Sequence, residues 1–162
     1  MANFLSTEIT SLTATPPVRI KVNKLMGRLR YAFGQFTNPA SSGAAVADIL
    51  YMLRIPKGGR ILGHLSQMSW STGAASSTLN VGDMVSAFRH VGATAVTTAG
   101  TVTPQSVTSS NGVAGYEVTD ETRDGATGLP SATNDGDIRS TVAGASLQAS
   151  QVIALHMVYV HD

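Results

Sequence analysis

Four histidines, ten carboxylates and no cysteine bound the chemistry that this chain could perform. Without thiols it has no cysteine nucleophile, no disulfide and no Cys-ligated zinc or iron–sulfur site. His64 and His156 fall in stretches that read as strands, and could share a metal if those strands met across a sheet. A strand histidine is far more often bonded to a backbone carbonyl or a threonine hydroxyl, so no metal site is expected. Glu117, Asp120, Glu121, Asp124, Asp135 and Asp137 crowd one turn-rich stretch with Gly125 and Gly136. Hard oxygen ligands suit calcium, but the spacing is not that of an EF-hand loop, and a solvated acidic loop is the expectation. Nothing sets two carboxylates in an aromatic-lined cleft for glycoside hydrolysis. The G-x-S-x-G elbow, H-E-x-x-H, P-loop and dinucleotide fingerprint are all missing. Lys57-Gly58-Gly59 lacks the spacing of a phosphate loop and reads as a hairpin turn. Trp70, the single tryptophan, ends a strand and reads as packing, with a carbohydrate platform as the alternative. The expectation is a chain with no catalytic, cofactor-binding or metal-binding residues.

The elements that would position these groups follow from composition and period. The chain has 162 residues, the length of one domain or of a domain with an arm. Charged residues are only 13% of it, while 35 positions are Ser or Thr and 16 are Gly. Such material suits short strands and turns better than long surface helices. With 43% hydrophobic residues a packed core is expected rather than disorder.

Residues 1–17 read as an N-terminal arm closed by Pro16-Pro17, and residues 18–162 as one domain. Val18, Ile20 and Val22 alternate with Arg19, Lys21 and Asn23, and the phase then flips to Leu25, Leu29, Tyr31 and Phe33. A bulge or kink is therefore expected near Asn23-Lys24 or Gly27. Ala47–Ile55, with Ile49, Tyr51, Leu53 and Ile55 on one face, and Arg60–Trp70 read as a hairpin about Pro56-Lys57-Gly58-Gly59. Short strands follow at 78–83, 113–119, 138–142 and 147–160, with one short helix over 84–95. The expected fold is all-β, an antiparallel β-sandwich or jelly-roll-like domain with an extended N-terminal arm and at most one short helix. The last strand is apolar on both faces, with Leu155, Met157 and Tyr159 on one of them. A second cover, by the arm, a loop or another subunit, is expected over it.

Charge is unevenly placed. Residues 1–60 carry eight bases against Glu8 and Asp48, whereas residues 61–162 carry three bases against eight carboxylates. Charge-complementary contacts, within the fold or between copies, would use that asymmetry. A pI of about 8.1 with an acidic second half does not suit nucleic acid. The N-terminus does not read as a secretory signal, and no apolar run reaches a membrane-spanning length, so neither nucleic acid nor membrane is expected as a partner.

The run Leu53-Arg54-Ile55-Pro56-Lys57-Gly58-Gly59-Arg60-Ile61-Leu62-Gly63 resembles the apolar–Pro–Lys–Gly hairpin of small virion proteins of tailed bacteriophages. Thr78-Leu79-Asn80-Val81-Gly82-Asp83 and the closing Val158-Tyr159-Val160-His161-Asp162 are similar to that family's later signatures, in the same order. The family comprises head-decoration and capsid-cement proteins. The resemblance implies a β-module that coats the exterior of a capsid in the virion, binds the major capsid protein, is often a homotrimer, and does no chemistry. Assembly would take place in the host cytoplasm. A carbohydrate- or receptor-binding β-sandwich of a phage fibre is the alternative, with its platform around Trp70 or Tyr116. The candidate contact residues are Phe4, Leu5, Ile9 and Leu12 in the arm. Arg19, Lys21, Arg28 and Arg30 in the basic segment join them, as do Leu155, Met157 and Tyr159 in the last strand.

Overall fold

The computed structural model describes residues 28–40, 43–104 and 116–161. The expected arm, the kink near Asn23-Lys24 or Gly27, and the stretch 105–115 lie outside them. The described residues form ten strands and one 3-10 turn: β1 (Arg28–Thr37), β2 (Ile49–Arg54), β3 (Arg60–Ile61), the turn Gly63–Leu65, β4 (Gln67–Trp70) and β5 (Thr78–Gly82), then β6 (Val91–Ala95), β7 (Gly100–Val102), β8 (Tyr116–Glu117), β9 (Asp137–Ala143) and β10 (Val152–His161). They make two antiparallel sheets, as the sequence predicts for a β-sandwich.

β10 is the axis of the six-stranded sheet. One edge pairs with β1 along its length, from Arg28 opposite His161 to Thr37 opposite Val152. The other edge pairs first with β4 and then with β3. β3 and β4 are in effect one strand interrupted by the 3-10 turn. The turn is stitched to β10 where the Leu62 N–H donates to the Val158 carbonyl and the Val158 N–H donates to Ser66 Oγ. β8 continues the sheet beyond β3, and β7 beyond β4. The second sheet has the order β2-β9-β5-β6.

Three local expectations change. First, β2 and β3 do not form a hairpin: β2 pairs with β9 in one sheet and β3 with β10 in the other. The Pro56–Gly59 turn is an arch between layers, with Gly58 at φ +83° and its N–H donated to the Val118 carbonyl. A ten-residue apolar partner in β10 outcompetes the local strand, because strand choice is decided by packing more than by proximity. Second, the buried face of β2 begins with Leu50 and Met52, leaving Ile49 and Tyr51 exposed. An irregularity between Tyr51 and Leu53 then shifts the phase, so that Ile55 is fully buried. Third, residues 84–95 form no helix. The Asp83 carboxylate accepts the N–H groups of Val85 and Ser86 and pairs with Arg89, closing a compact turn. The β-branched stretch after it then pairs with β5 as β6.

The core lies between the sheets. Met68, Ile153, Leu155 and Met157 of the six-stranded sheet meet Leu79, Val81, Ile138 and Val142 of the other, all at 1% exposure or less. Polar anchors tie the ends. Asn38 donates from Nδ2 to the carbonyls of Leu147 and Gln148 and accepts the Ala44 N–H, and buried Gln151 donates to the Val96 carbonyl.

Candidate interaction surface

Because β1 and β10 pair in full register, their side chains sort into two rows. Inward, Ala32, Gly34 and Phe36 of β1 and Ile153, Leu155 and Met157 of β10 pack on the core. Outward, Leu29, Tyr31 and Phe33 stand at 65%, 73% and 51% exposure, opposite Val160, Val158 and His156. The Phe33 and His156 rings meet edge to face at 5.0 Å. Arg28 and Arg30 leave β1 on the inner side, beyond the cover of the second sheet, and are exposed.

The apolar second face of β10 is thus real, but its phase is the reverse of the one expected. Leu155 and Met157 are wholly buried in their own chain's core and Tyr159 is half-buried against it, so the face open to a neighbour carries Val158 and Val160. Leu29, Tyr31 and Phe33 were visible in the sequence only as an apolar phase of the basic segment. Nothing local showed that β10 would bury one row of β1 and leave the other out. Phe4, Leu5, Ile9, Leu12, Arg19 and Lys21 lie outside the described residues.

His64 and His156 do approach the same place. With Tyr31, Leu65, Ser66, Gln67, Thr103 and Val158 they line a shallow hollow on the outer face. Among the described residues no group of three metal-ligating side chains forms there or elsewhere.

The acidic stretch is structured rather than merely solvated. Asp135 accepts the Tyr116 hydroxyl, the Thr119 N–H and hydroxyl, and the Asp120 N–H. Burial pushes its carboxyl up, but these hydrogen bonds together hold it below the usual carboxylate range. Asp137 pairs with Arg54 and Arg123 and accepts from Asn134. Asp120 accepts the hydroxyls of Thr122 and Thr133, which lower its pKa to about 2. The charge asymmetry between the halves of the sequence is therefore used, at least in part, inside the fold. Asp137 takes Arg54 from the basic half, and Glu117 sits opposite Arg60.

Beside this stretch lies a buried polar cluster. Arg89 pairs with Asp83, which is wholly buried, and its guanidinium lies 4.1 Å over the Tyr116 ring. His90 touches the same ring edge-on at 6.1 Å, and its Nε2 has no hydrogen-bond partner. Burial, reinforced by the Arg89 charge, lowers the His90 pKa to about 4. Burial and the hydrogen bond to Asp135 push the Tyr116 phenol well above its usual value, with Arg89 opposing. A phenol held protonated and an imidazole held neutral beside a bound guanidinium are fixed packing partners. The two rings proposed as a carbohydrate platform are both occupied. Tyr116 lies under Arg89, and Trp70 packs on the core with its Nε1–H donated to the Thr98 carbonyl at 2.7 Å.

No family model matches the chain, and no curated protein does. Its fold is nevertheless shared with solved structures. It is similar to a chain of the capsid asymmetric unit of cyanophage Pam1, with a TM-score of 0.60 and 18% identity over 84% of this chain and 86% of that one. It is also similar to a chain of the capsid of Ralstonia phage GP4, with a TM-score of 0.51 and 16% identity over the same shares. At these identities the likeness is one of fold.

Proposed function

We propose that this chain is a structural protein of a bacteriophage virion, which decorates the capsid exterior and cements it by binding the major capsid protein. The observation that carries the reading is the fold shared with chains of two phage capsids over 84% of this chain. The surface supports it. A lattice-binding module must dock rigidly at many identical positions, and rigid side chains lose little entropy on docking. Leu29, Tyr31 and Phe33 on a paired strand meet that need, whereas the described surface carries a single lysine, Lys57. Residues 1–17 act as an arm that laps onto a neighbouring chain or the shell, and residues 18–162 are the β-sandwich domain. The module works as a homotrimer and performs no catalysis.

Purified full-length chain mixed with capsid shells that lack it should co-sediment with them and saturate, and light scattering of the free chain should give the mass of a trimer. Shells that pellet without it would overturn the capsid reading. A monomer that still saturates the shells would remove the trimer alone.

A further inference from the structure

β1 is an open edge among the described residues: ten residues paired with β10 on one side and with no described strand on the other. An open edge offers its outward N–H and C=O groups as a template for a further strand. Its side chains restrict which strand can add. Leu29, Tyr31 and Phe33 form an exposed apolar row on one face, and Arg28 and Arg30 are exposed on the other. No described ion pair involves either arginine.

The chain's own segments are poor occupants. Asp83 and Asp137 are taken up by Arg89, Arg54 and Arg123, and Asp135 by hydroxyl and amide donors. The exposed loop carboxylates Glu121 and Asp124 are interleaved with Arg123, and Glu121 accepts the Lys57 N–H. The sequence leading into β1 carries Arg19, Lys21 and Lys24 against Glu8 alone, so its charge repels Arg28 and Arg30.

We propose that the open edge of β1 is the docking site for an extended segment of another protein in which apolar and acidic residues alternate, added as a further strand of the six-stranded sheet. Alternation is required because an added strand presents side chains to both faces in turn: apolar ones beside Leu29, Tyr31 and Phe33, carboxylates beside Arg28 and Arg30. The inference deepens the virion reading and rests on it for the source of the segment, the major capsid protein.

The test uses full-length chain and shells lacking it. Amide exchange of residues 28–37 should be fast at the outward positions of the free chain and slow on the shell. The charge reversal Arg28→Glu with Arg30→Glu should weaken shell binding about tenfold or more, since each like-charge pair costs more than the attraction it replaces. Tyr31→Glu should do the same. Both changes lie on exposed positions, and unchanged exchange in β9 verifies the fold.

If wild-type chain fails to bind shells, the virion reading falls and this inference with it. If it binds while β1 exchange and the affinity of both variants stay unchanged, only this inference falls. Two other occupants would also overturn it. A concentration-dependent oligomer that dissolves on charge reversal would identify a second copy. Slow β1 exchange in the free chain, relieved by deleting residues 1–17, would identify the arm.

Discussion

Gly34 of β1 lies against the main chain of Met52 in β2, so close that a Cβ at position 34 would overlap the Met52 carbonyl oxygen. The contact clamps the middle of an edge strand of one sheet onto the other sheet. Beyond it, residues 28–31 of β1 are exposed on both faces.

Gly34→Ala should therefore force the two strands apart. Overpacking of this kind costs about 1–3 kcal/mol, and each kcal/mol lowers the midpoint of a domain this size by about 2–4 °C. Calorimetry should show a midpoint drop of about 2–12 °C. A midpoint unchanged within a degree would mean that the clamp yields freely.

The buried Asp83–Arg89 pair gives a second prediction. Arg89→Ala leaves the Asp83 carboxylate uncompensated in the interior and uncovers the Tyr116 ring, which should cost about 3–5 kcal/mol in denaturant unfolding. Replacing both partners, Asp83→Asn with Arg89→Met, should cost clearly less than the two single changes added together. Additive losses would show that the pair is not coupled.

His90 sets the acid side of the stability profile. The unfolded imidazole takes a proton near pH 6.5, whereas the folded one resists until about pH 4. Within that window the unfolded state holds more protons, so stability falls as the pH falls, by on the order of 3 kcal/mol across it. His90→Phe should flatten the slope between pH 6.5 and 4. Asp120 and Asp135, held below their ordinary values, add their own loss at lower pH. A slope that survives the His90 change would place the sensitivity elsewhere.

The class of fold was legible in short β-branched runs cut by Gly, Pro and Ser turns, and each described strand falls, to within a residue at its ends, in a stretch that reads as extended, except β6, where a helix is expected, and β7. Pairing was not. The Pro56–Gly59 signal marks a turn equally well whether the chain returns to the same sheet or crosses to the other. Which it does depends on β10, about 100 residues away. The helix expected over 84–95 failed for a similar reason. The apolar spacing from Met84 onward suits a helix, but the Arg89 guanidinium that closes the turn on Asp83 is recognisable only once burial makes the pair exclusive. The apolar second face of β10 was correctly sensed and assigned to the wrong row. Periodicity defines two faces and does not say which one the core takes.

Deletion of residues 1–17 separates arm from domain. Retention on shells should weaken, while the thermal midpoint of the isolated chain stays nearly constant, if the segment docks on a neighbouring chain or the shell as proposed. A midpoint loss of many degrees would make the segment an ordinary structural strand.

Binding of the chain to the outside of a capsid can be read from a difference map between shells prepared with and without it. By electron cryomicroscopy, added density should appear on the exterior at symmetric positions, fit the two-sheet domain, and face β1 toward the shell. Density on the inner surface, or no ordered difference at saturating protein, would contradict it.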